Sequence, residues 1–202
     1  MNKIPPISEQ KTETLREIAN IPNTLTILRA GVVVYVSCIL ATDGPSFETG
    51  AIYAAGMATD WLDGKIARTW NMQTRFGKRL DPIVDSMSFH IPLWALAYQT
   101  SDNTHQMIYL ASSGLIALRD ADLFRRSLRL EKQGELFDVS MLGKVKTGVQ
   151  MAAISILITT PEVFPVMQEF GRWMLGGSAF FSLTSWVDYY QKLKTKSRKI
   201  LG

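Results

Sequence analysis

Four aspartates stand close together in this chain, in two pairs: Asp60 and Asp63, then Asp81 and Asp85. On a helix, positions 60, 63, 64 and 67 share one face, and positions 81 and 85 share another. The basic stretch Thr69 to Lys78 between the pairs is short enough to let two antiparallel helices present those faces to each other. Four carboxylates would then meet near one end of a helix pair. Crowded carboxylates raise one another's pKa, and a charge in an apolar helix costs ~2.5 kcal/mol or more. Divalent cations relieve both penalties, because all-oxygen ligands suit Mg2+ or Mn2+. Two ions held by shared carboxylates would balance four negative charges, bind the phosphates of a substrate and stabilise in-line displacement at phosphorus. Gly64 and Ala67 lie beside the aspartates and are small, so a flat or bulky group could approach the helix backbone there. Carboxylates and small residues together suggest a nucleotide-diphosphate pocket. Small-residue helix packing would explain either small residue alone.

The elements that must position these groups are apolar. Hydrophobic residues make up 47% of the 202, and the 20% that are charged cluster between apolar stretches. Six stretches are candidates to cross a bilayer, roughly Leu25–Thr42, Thr49–Leu62, Ile83–Thr100, Met107–Phe124, Val145–Thr160 and Met174–Tyr190. Several are shorter than the ~20 apolar residues that a lipid-facing helix prefers, so neighbouring polar residues must extend them and face inward. Lys and Arg fall on alternate connections. They precede the first stretch (Lys3, Lys11, Arg16), separate the second from the third and the fourth from the fifth, and follow the sixth. The other three connections hold Arg172 alone. That alternation predicts an all-α, polytopic membrane protein of six transmembrane helices with both termini cytoplasmic. Residues 1–20 form a polar juxtamembrane segment, in which Ser8 to Ala19 could be an amphipathic helix. Residues 21–190 form the six-helix domain and 191–202 a basic tail. The net charge of +4 is accounted for by this placement and does not call for nucleic acid. The single cysteine, Cys38, gives neither a disulfide framework nor a metal site.

The pattern Asp60-x-x-Asp63-Gly64-x-x-Ala67-Arg68, eight residues, then Gly77-x-x-x-Asp81-x-x-x-Asp85 resembles the full signature of the CDP-alcohol phosphatidyltransferases, spacing included. Eight identities at fixed spacing arise by chance with odds of about one in ten million in such a chain. The likeness extends to "IPNTLTILRA" at Ile21–Ala30 and to "LRDADLFRRSLR" and "LGKVKTGVQM", which look like the phosphatidylglycerophosphate synthase and cardiolipin synthase branches. The resemblance implies six transmembrane helices paired as a homodimer, with a binuclear metal site open to the cytoplasm. It implies transfer of a phosphatidyl group from CDP-diacylglycerol to an alcohol, with release of CMP, in a membrane that is bacterial and cytoplasmic sooner than mitochondrial. By that resemblance Asp60, Asp63, Asp81 and Asp85 hold the metals, and Asp85 is the general base. Gly64, Ala67 and Arg68 would line the cytidine diphosphate site with Asp60, and Gly77 would allow close approach.

Arg119, Lys144 and Lys146 are read as a cradle for an anionic acceptor, since cations at these depths are costly without an anion. Arg29, deep in the first stretch, is either a phosphate contact or the partner of an acidic side chain. Arg125, Arg126 and Arg129 are read as reaching out to headgroups. Gly143-Lys144-Val145-Lys146-Thr147 favours sn-glycerol 3-phosphate as acceptor, whereas Arg119-Asp120 looks more like enzymes that use phosphatidylglycerol. Ser86 departs from the basic residue that many relatives carry after the last aspartate. His90 is expected to be packed or hydrogen-bonded and His105 to be exposed. A cation-coupled transporter is the rival class, but the acidic cluster lies at one face, with no inverted repeat.

Overall fold

The structure is a computed structural model that describes residues 20–70, 74–132, 141–160 and 164–201. Within those ranges the side chains of residues 60–68, 75, 78, 127, 130–132, 141–145, 188 and 191–201 lie outside the description, and the amphipathic helix expected at Ser8 to Ala19 does as well. The described residues form six helices and no strand: α1 (Ile21–Asp43), α2 (Phe47–Thr69), α3 (Arg75–Gln99), α4 (Asn103–Lys132), α5 (Met141–Thr159) and α6 (Pro165–Leu201). Each predicted apolar stretch is a helix, and most are longer than the apolar run itself. The polar residues that flank each run are helical too, because a backbone group can satisfy itself only within the helix where water is scarce. Among the described residues, α1 alone is long and apolar enough to cross a membrane by composition, with a shorter apolar stretch at Lys146–Thr159.

Local chemistry sets the helix ends. Asn20 caps α1, its side chain accepting from the Asn23 amide at 2.9 Å, with Pro22 in the first turn. Thr74 caps α3 in the same way, accepting from the Gly77 amide at 3.0 Å. Gly44, at φ 81°, turns the chain from α1 into α2. At the opposite end of the bundle, glutamine side chains meet carbonyls of other helix ends: Gln99 donates to Ala41 O at 2.7 Å and Gln168 to Leu157 O at 3.1 Å.

Helix α1 packs against both α2 and α3, and α2 packs against α5. Helices α3, α4, α6 and α5 form a ring in which each touches the next. The apolar core of that assembly, including Val36, Leu40, Leu93, Leu96, Ile154, Leu157 and Leu175, fills the half remote from the α2–α3 connection. The half nearer that connection has a polar interior, with Asn23, Thr26, Arg29, Lys146 and Gln150 all buried. The exterior is apolar, with Leu28, Tyr35, Trp94, Tyr98, Leu118 and Phe180 each half exposed or more. Polar inside and apolar outside is the reverse of what water selects.

One contact fixes how α2 lies on α3. Pro92, inside α3, has no N–H to give to the Ser88 carbonyl one turn earlier. That carbonyl accepts from the Tyr53 hydroxyl of α2 at 2.9 Å, in a fully buried position. The same hydroxyl lies 3.2 Å from the Met151 sulfur of α5. A proline that would leave a buried acceptor orphaned thus becomes the point where three helices are registered. Tyr53→Phe should cost ~1–3 kcal/mol by stranding that carbonyl. Pro92→Ala, which restores the intrahelical donor, should recover part of the loss in the double variant. Thermal unfolding in detergent checks this, and strictly additive midpoints would remove Ser88 as the link.

Candidate functional site

Asp60 follows Tyr53 by seven residues on α2, and Asp81 precedes Ser88 by seven on the antiparallel α3. Both positions therefore lie ~10 Å from the Tyr53–Ser88 contact, toward the α2–α3 connection. Asp63 is about a turn beyond that depth and Asp85 about a turn short of it. On α5, Lys146 comes five residues before Met151, which the same tyrosine touches. The backbone register thus brings the signature positions and the start of α5 to one end of the bundle.

The near face of α1 runs along Asp81 and Asp85. Asn23 donates to Thr74 Oγ1 at 3.1 Å. Thr26 Oγ1 donates to Asp81 Oδ1 at 3.2 Å. Arg29 Nη1 lies 3.2 Å from Asp85 Oδ1. The three α1 residues are spaced by three and their α3 partners Gly77, Asp81 and Asp85 by four, which is how ridges of one helix seat in the grooves of a parallel neighbour. Arg29 is fully buried, and Asp85 is 38% exposed at its side chain. Arg29 thus has an acidic partner in α3, one of the two roles open to it in the sequence. Gly77 acquires a packing reason: a Cβ there would come within 2.4 Å of Asn23 Oδ1. The side chains of Asp60, Asp63, Gly64, Ala67 and Arg68 lie outside the described residues, and among the described ones no three metal-ligating side chains gather.

The expected acceptor residues converge as well. Arg119 Nη1 lies 2.8 Å and Lys146 Nζ 2.9 Å from the same oxygen, Asp120 Oδ1. Arg119 also donates to Ser185 Oγ of α6 at 3.1 Å. Lys146 is buried, on a helix that packs against α3, the helix of Asp81 and Asp85. The Lys144 side chain lies outside the described residues. Asp120 therefore has a structural reason of its own, as the bridge between two cations, and need not speak for the acceptor.

Arg126 differs from its expected role. It does not reach for headgroups: its Nε lies 2.9 Å from Asp122 Oδ2, and its guanidinium sits 4.5 Å from the Tyr190 ring centroid. Trp186 Nε1 and the Tyr190 hydroxyl donate to the same carboxylate oxygen at 3.0 and 3.1 Å. At the opposite end, His105 is held between Asp102 and Glu169, 3.8 Å from each, and is not freely exposed. His90 is buried and hydrogen-bonded to Ser113 at 2.8 Å, as expected. Asn23 and Thr26 had gone unread as site residues. Their signal is polar residues at three-residue spacing, with Arg29, inside a strongly apolar helix.

Fold and site together define an all-helical protein with acidic and basic side chains gathered inside one end of a bundle. The sequence model of the CDP-alcohol phosphatidyltransferases matches residues 19–184. The chain is 30% identical over 177 residues to the CDP-diacylglycerol–glycerol-3-phosphate 3-phosphatidyltransferase of Shigella flexneri serotype 5b, covering 84% of this chain and 92% of that one. Its identity to the enzyme of the same name from Escherichia coli K12 is 32% over the same length and coverage. The solved phosphatidylinositol phosphate synthase of Mycobacterium tuberculosis, in complex with manganese and citrate, superposes with a TM-score of 0.61 at 19% identity, covering 94% of this chain and 90% of that one. The same enzyme with CDP-DAG bound gives 0.57, covering 90% of each. The chain belongs to the CDP-alcohol phosphatidyltransferase family and is a transferase of phospholipid synthesis. That membership displaces the transporter reading.

Removing the buried cation tests the α1–α3 pairing. Arg29→Met should lower stability by ~1–3 kcal/mol, less than for a fully buried pair because Asp85 is partly solvated. Arg29→Lys should retain part of the difference. A melting midpoint unchanged in Arg29→Met would mean that the pair contributes nothing.

Proposed function

We propose that this chain transfers the phosphatidyl group of CDP-diacylglycerol to sn-glycerol 3-phosphate, giving phosphatidylglycerophosphate and CMP. The observation that carries the reading is that the Asp81 and Asp85 pair and the Arg119–Asp120–Lys146 cluster stand on mutually packed helices toward one end of the bundle. The first is suited to the diphosphate end of the donor and the second to an anionic acceptor. Both curated relatives described above carry the name of this activity.

The donor set fits a hard divalent cation. Asp81 is exposed and Asp85 partly so, both offer oxygen only, and the helix positions of Asp60 and Asp63 lie toward the same end of the bundle on α2. We read Asp60, Asp63, Asp81 and Asp85 as ligands of two ions, Mg2+ or Mn2+. When bound, such ions would offset phosphate charge and acidify the attacking hydroxyl. The protein supplies the rest. Thr26 and Arg29 hold Asp81 and Asp85 in place from α1. Asp85 takes the proton of the acceptor hydroxyl, whose oxygen bonds to the lipid-linked phosphorus as the bond to the CMP oxygen breaks. A weak base suffices for a hydroxyl made acidic in this way. Gly64, Ala67 and Arg68 would bound the cytidine side of the donor, and Lys144 would extend the acceptor cradle.

The bundle with its apolar exterior is read as spanning the bacterial cytoplasmic membrane six times, with both termini and the site on the cytoplasmic side, as a homodimer. Donor acyl chains would then remain in lipid beside the helices, and only the headgroup would enter.

Purified protein given CDP-diacylglycerol with glycerol 3-phosphate or with phosphatidylglycerol, followed by mass analysis of the lipid, should yield phosphatidylglycerophosphate from the first. A product formed only from phosphatidylglycerol would replace this acceptor. Asp85→Asn should lower kcat by ~10^3-fold or more with the fold intact, and a near wild-type rate would take Asp85 out of the base role. Chelation should stop turnover and added Mg2+ or Mn2+ restore it. Lys146→Ala should raise the KM for glycerol 3-phosphate more than that for CDP-diacylglycerol, since the lysine faces the acceptor side.

A further inference from the structure

Just beyond the Asp120 cluster, farther from the α2–α3 connection, the ring of α3, α4, α6 and α5 encloses hydrogen-bonding atoms that nothing among the described residues satisfies. Gln150 lies on α5 one turn, ~6 Å, past Lys146 and on the same face. Ser182 lies one turn from Ser185 on α6, again on the same face and in the same direction. Their exposures are 3% and 1%. His90 enters from α3 at 6% exposure, and α3 packs against both α4, which carries Asp120, and α5, which carries Lys146. Gln150 Nε2, Ser182 Oγ, His90 Nε2 and Arg119 Nε all lack a hydrogen-bond partner among the described residues.

Trp94 Nε1 can only donate, and it donates to Ser113 Oγ at 2.8 Å. Ser113 Oγ has a second lone pair and one proton, so His90 Nδ1, also 2.8 Å away, is its donor in one tautomer and its acceptor in the other, and His90 Nε2 carries the proton in the latter. Gln150 Nε2 and Arg119 Nε are donors, Ser182 can donate, and His90 Nε2 donates in the tautomer that accepts from Ser113. A buried group of donors facing one interior costs free energy until oxygen atoms meet it. The flanking cations Arg119 and Lys146 hold the carboxylate of Asp120 between them.

We propose that these donors form the inner subsite for the acceptor's phosphate oxygens, with His90, Gln150 and Ser182 as its uncharged ligands and Arg119 at its mouth. This rests on the reading of the acceptor as a phosphorylated alcohol. The subsite lies about one helical turn beyond Asp85's end of the site. An acceptor that seats its phosphate there can extend its hydroxyl back toward Asp85 through a short carbon chain. The three uncharged residues then select a phosphomonoester by supplying directed N–H and O–H groups where bulk water cannot.

The test uses the full-length, metal-loaded enzyme with CDP-diacylglycerol. Gln150→Glu, equal in shape, places a carboxylate where the amide donates. It should raise the KM for glycerol 3-phosphate ~10-fold or more, leaving the KM for CDP-diacylglycerol within about twofold. Ser182→Ala, the gentler change, should raise the same KM ~3-fold or more and decides the matter if Gln150→Glu does not fold. Inorganic phosphate should inhibit the unaltered enzyme in competition with the acceptor, and less well in each variant. Folded variants with unchanged acceptor KM and unchanged phosphate inhibition would overturn the subsite and leave the donors to water. If the unaltered enzyme makes no phosphatidylglycerophosphate, the acceptor assignment fails instead. Calorimetric binding of inorganic phosphate, weakened in Ser182→Ala or indifferent to it, then judges the subsite by itself.

Discussion

The arrangement depends on a buried carbonyl that its own helix cannot satisfy. Pro92 leaves Ser88 O without its intrahelical donor, and Tyr53 reaches across from α2 to supply one. Where water is scarce such a group has to find a partner, so the contact has one geometry and not several. It fixes the depth of α2 against α3, and through Met151 that of α5. Because the signature residues are spaced outward from this point along rigid helices, fixing one contact sets the positions of Asp60, Asp81, Asp85 and Lys146 relative to one another along the bundle.

A bundle of this kind cannot draw all its specificity from apolar packing when its outside is as apolar as its core. It is divided instead. The remote half is packed from Val36, Leu40, Leu93, Leu157 and Leu175, with glutamine side chains meeting the carbonyls of helix ends. The other half is organised by polar pairs between helices: Asn23 with Thr74, Thr26 with Asp81, Arg29 with Asp85, and Lys146 and Arg119 with Asp120. Each pair compensates a group that would be costly alone, and each also places a side chain that the chemistry can use. Stability and site geometry therefore rest on the same residues in that half. Where the pairing is incomplete, at His90, Gln150 and Ser182, the interior has capacity left for oxygen atoms from outside.

Much of this was legible in the amino-acid order. Helix number and rough extent followed from apolar length, since six runs separated by charged or turn-forming residues leave few alternatives. The family followed from eight residues at fixed spacing, because a motif that must present carboxylates on particular helix faces tolerates no shift in register. Local spacing also placed Asp81 and Asp85 on one face, one turn apart. These are properties of a single helix or of adjacent helices, and sequence separation encodes them directly.

Partner choice between distant segments was not legible. Nothing local distinguishes Arg29 as the companion of Asp85 from Arg29 as a phosphate contact; that depends on α1 lying parallel to α3, 56 residues later in the chain. The same holds for Arg126, whose partner Tyr190 comes from α6, and for Asp120, whose two cations come from α4 itself and from α5. By itself the sequence determined which residues are ionisable, which face of its own helix each occupies and which family they spell. The tertiary structure alone decided which charges neutralise one another, because ion pairing depends on distance in space, and six packed helices set distances that no spacing along the chain contains.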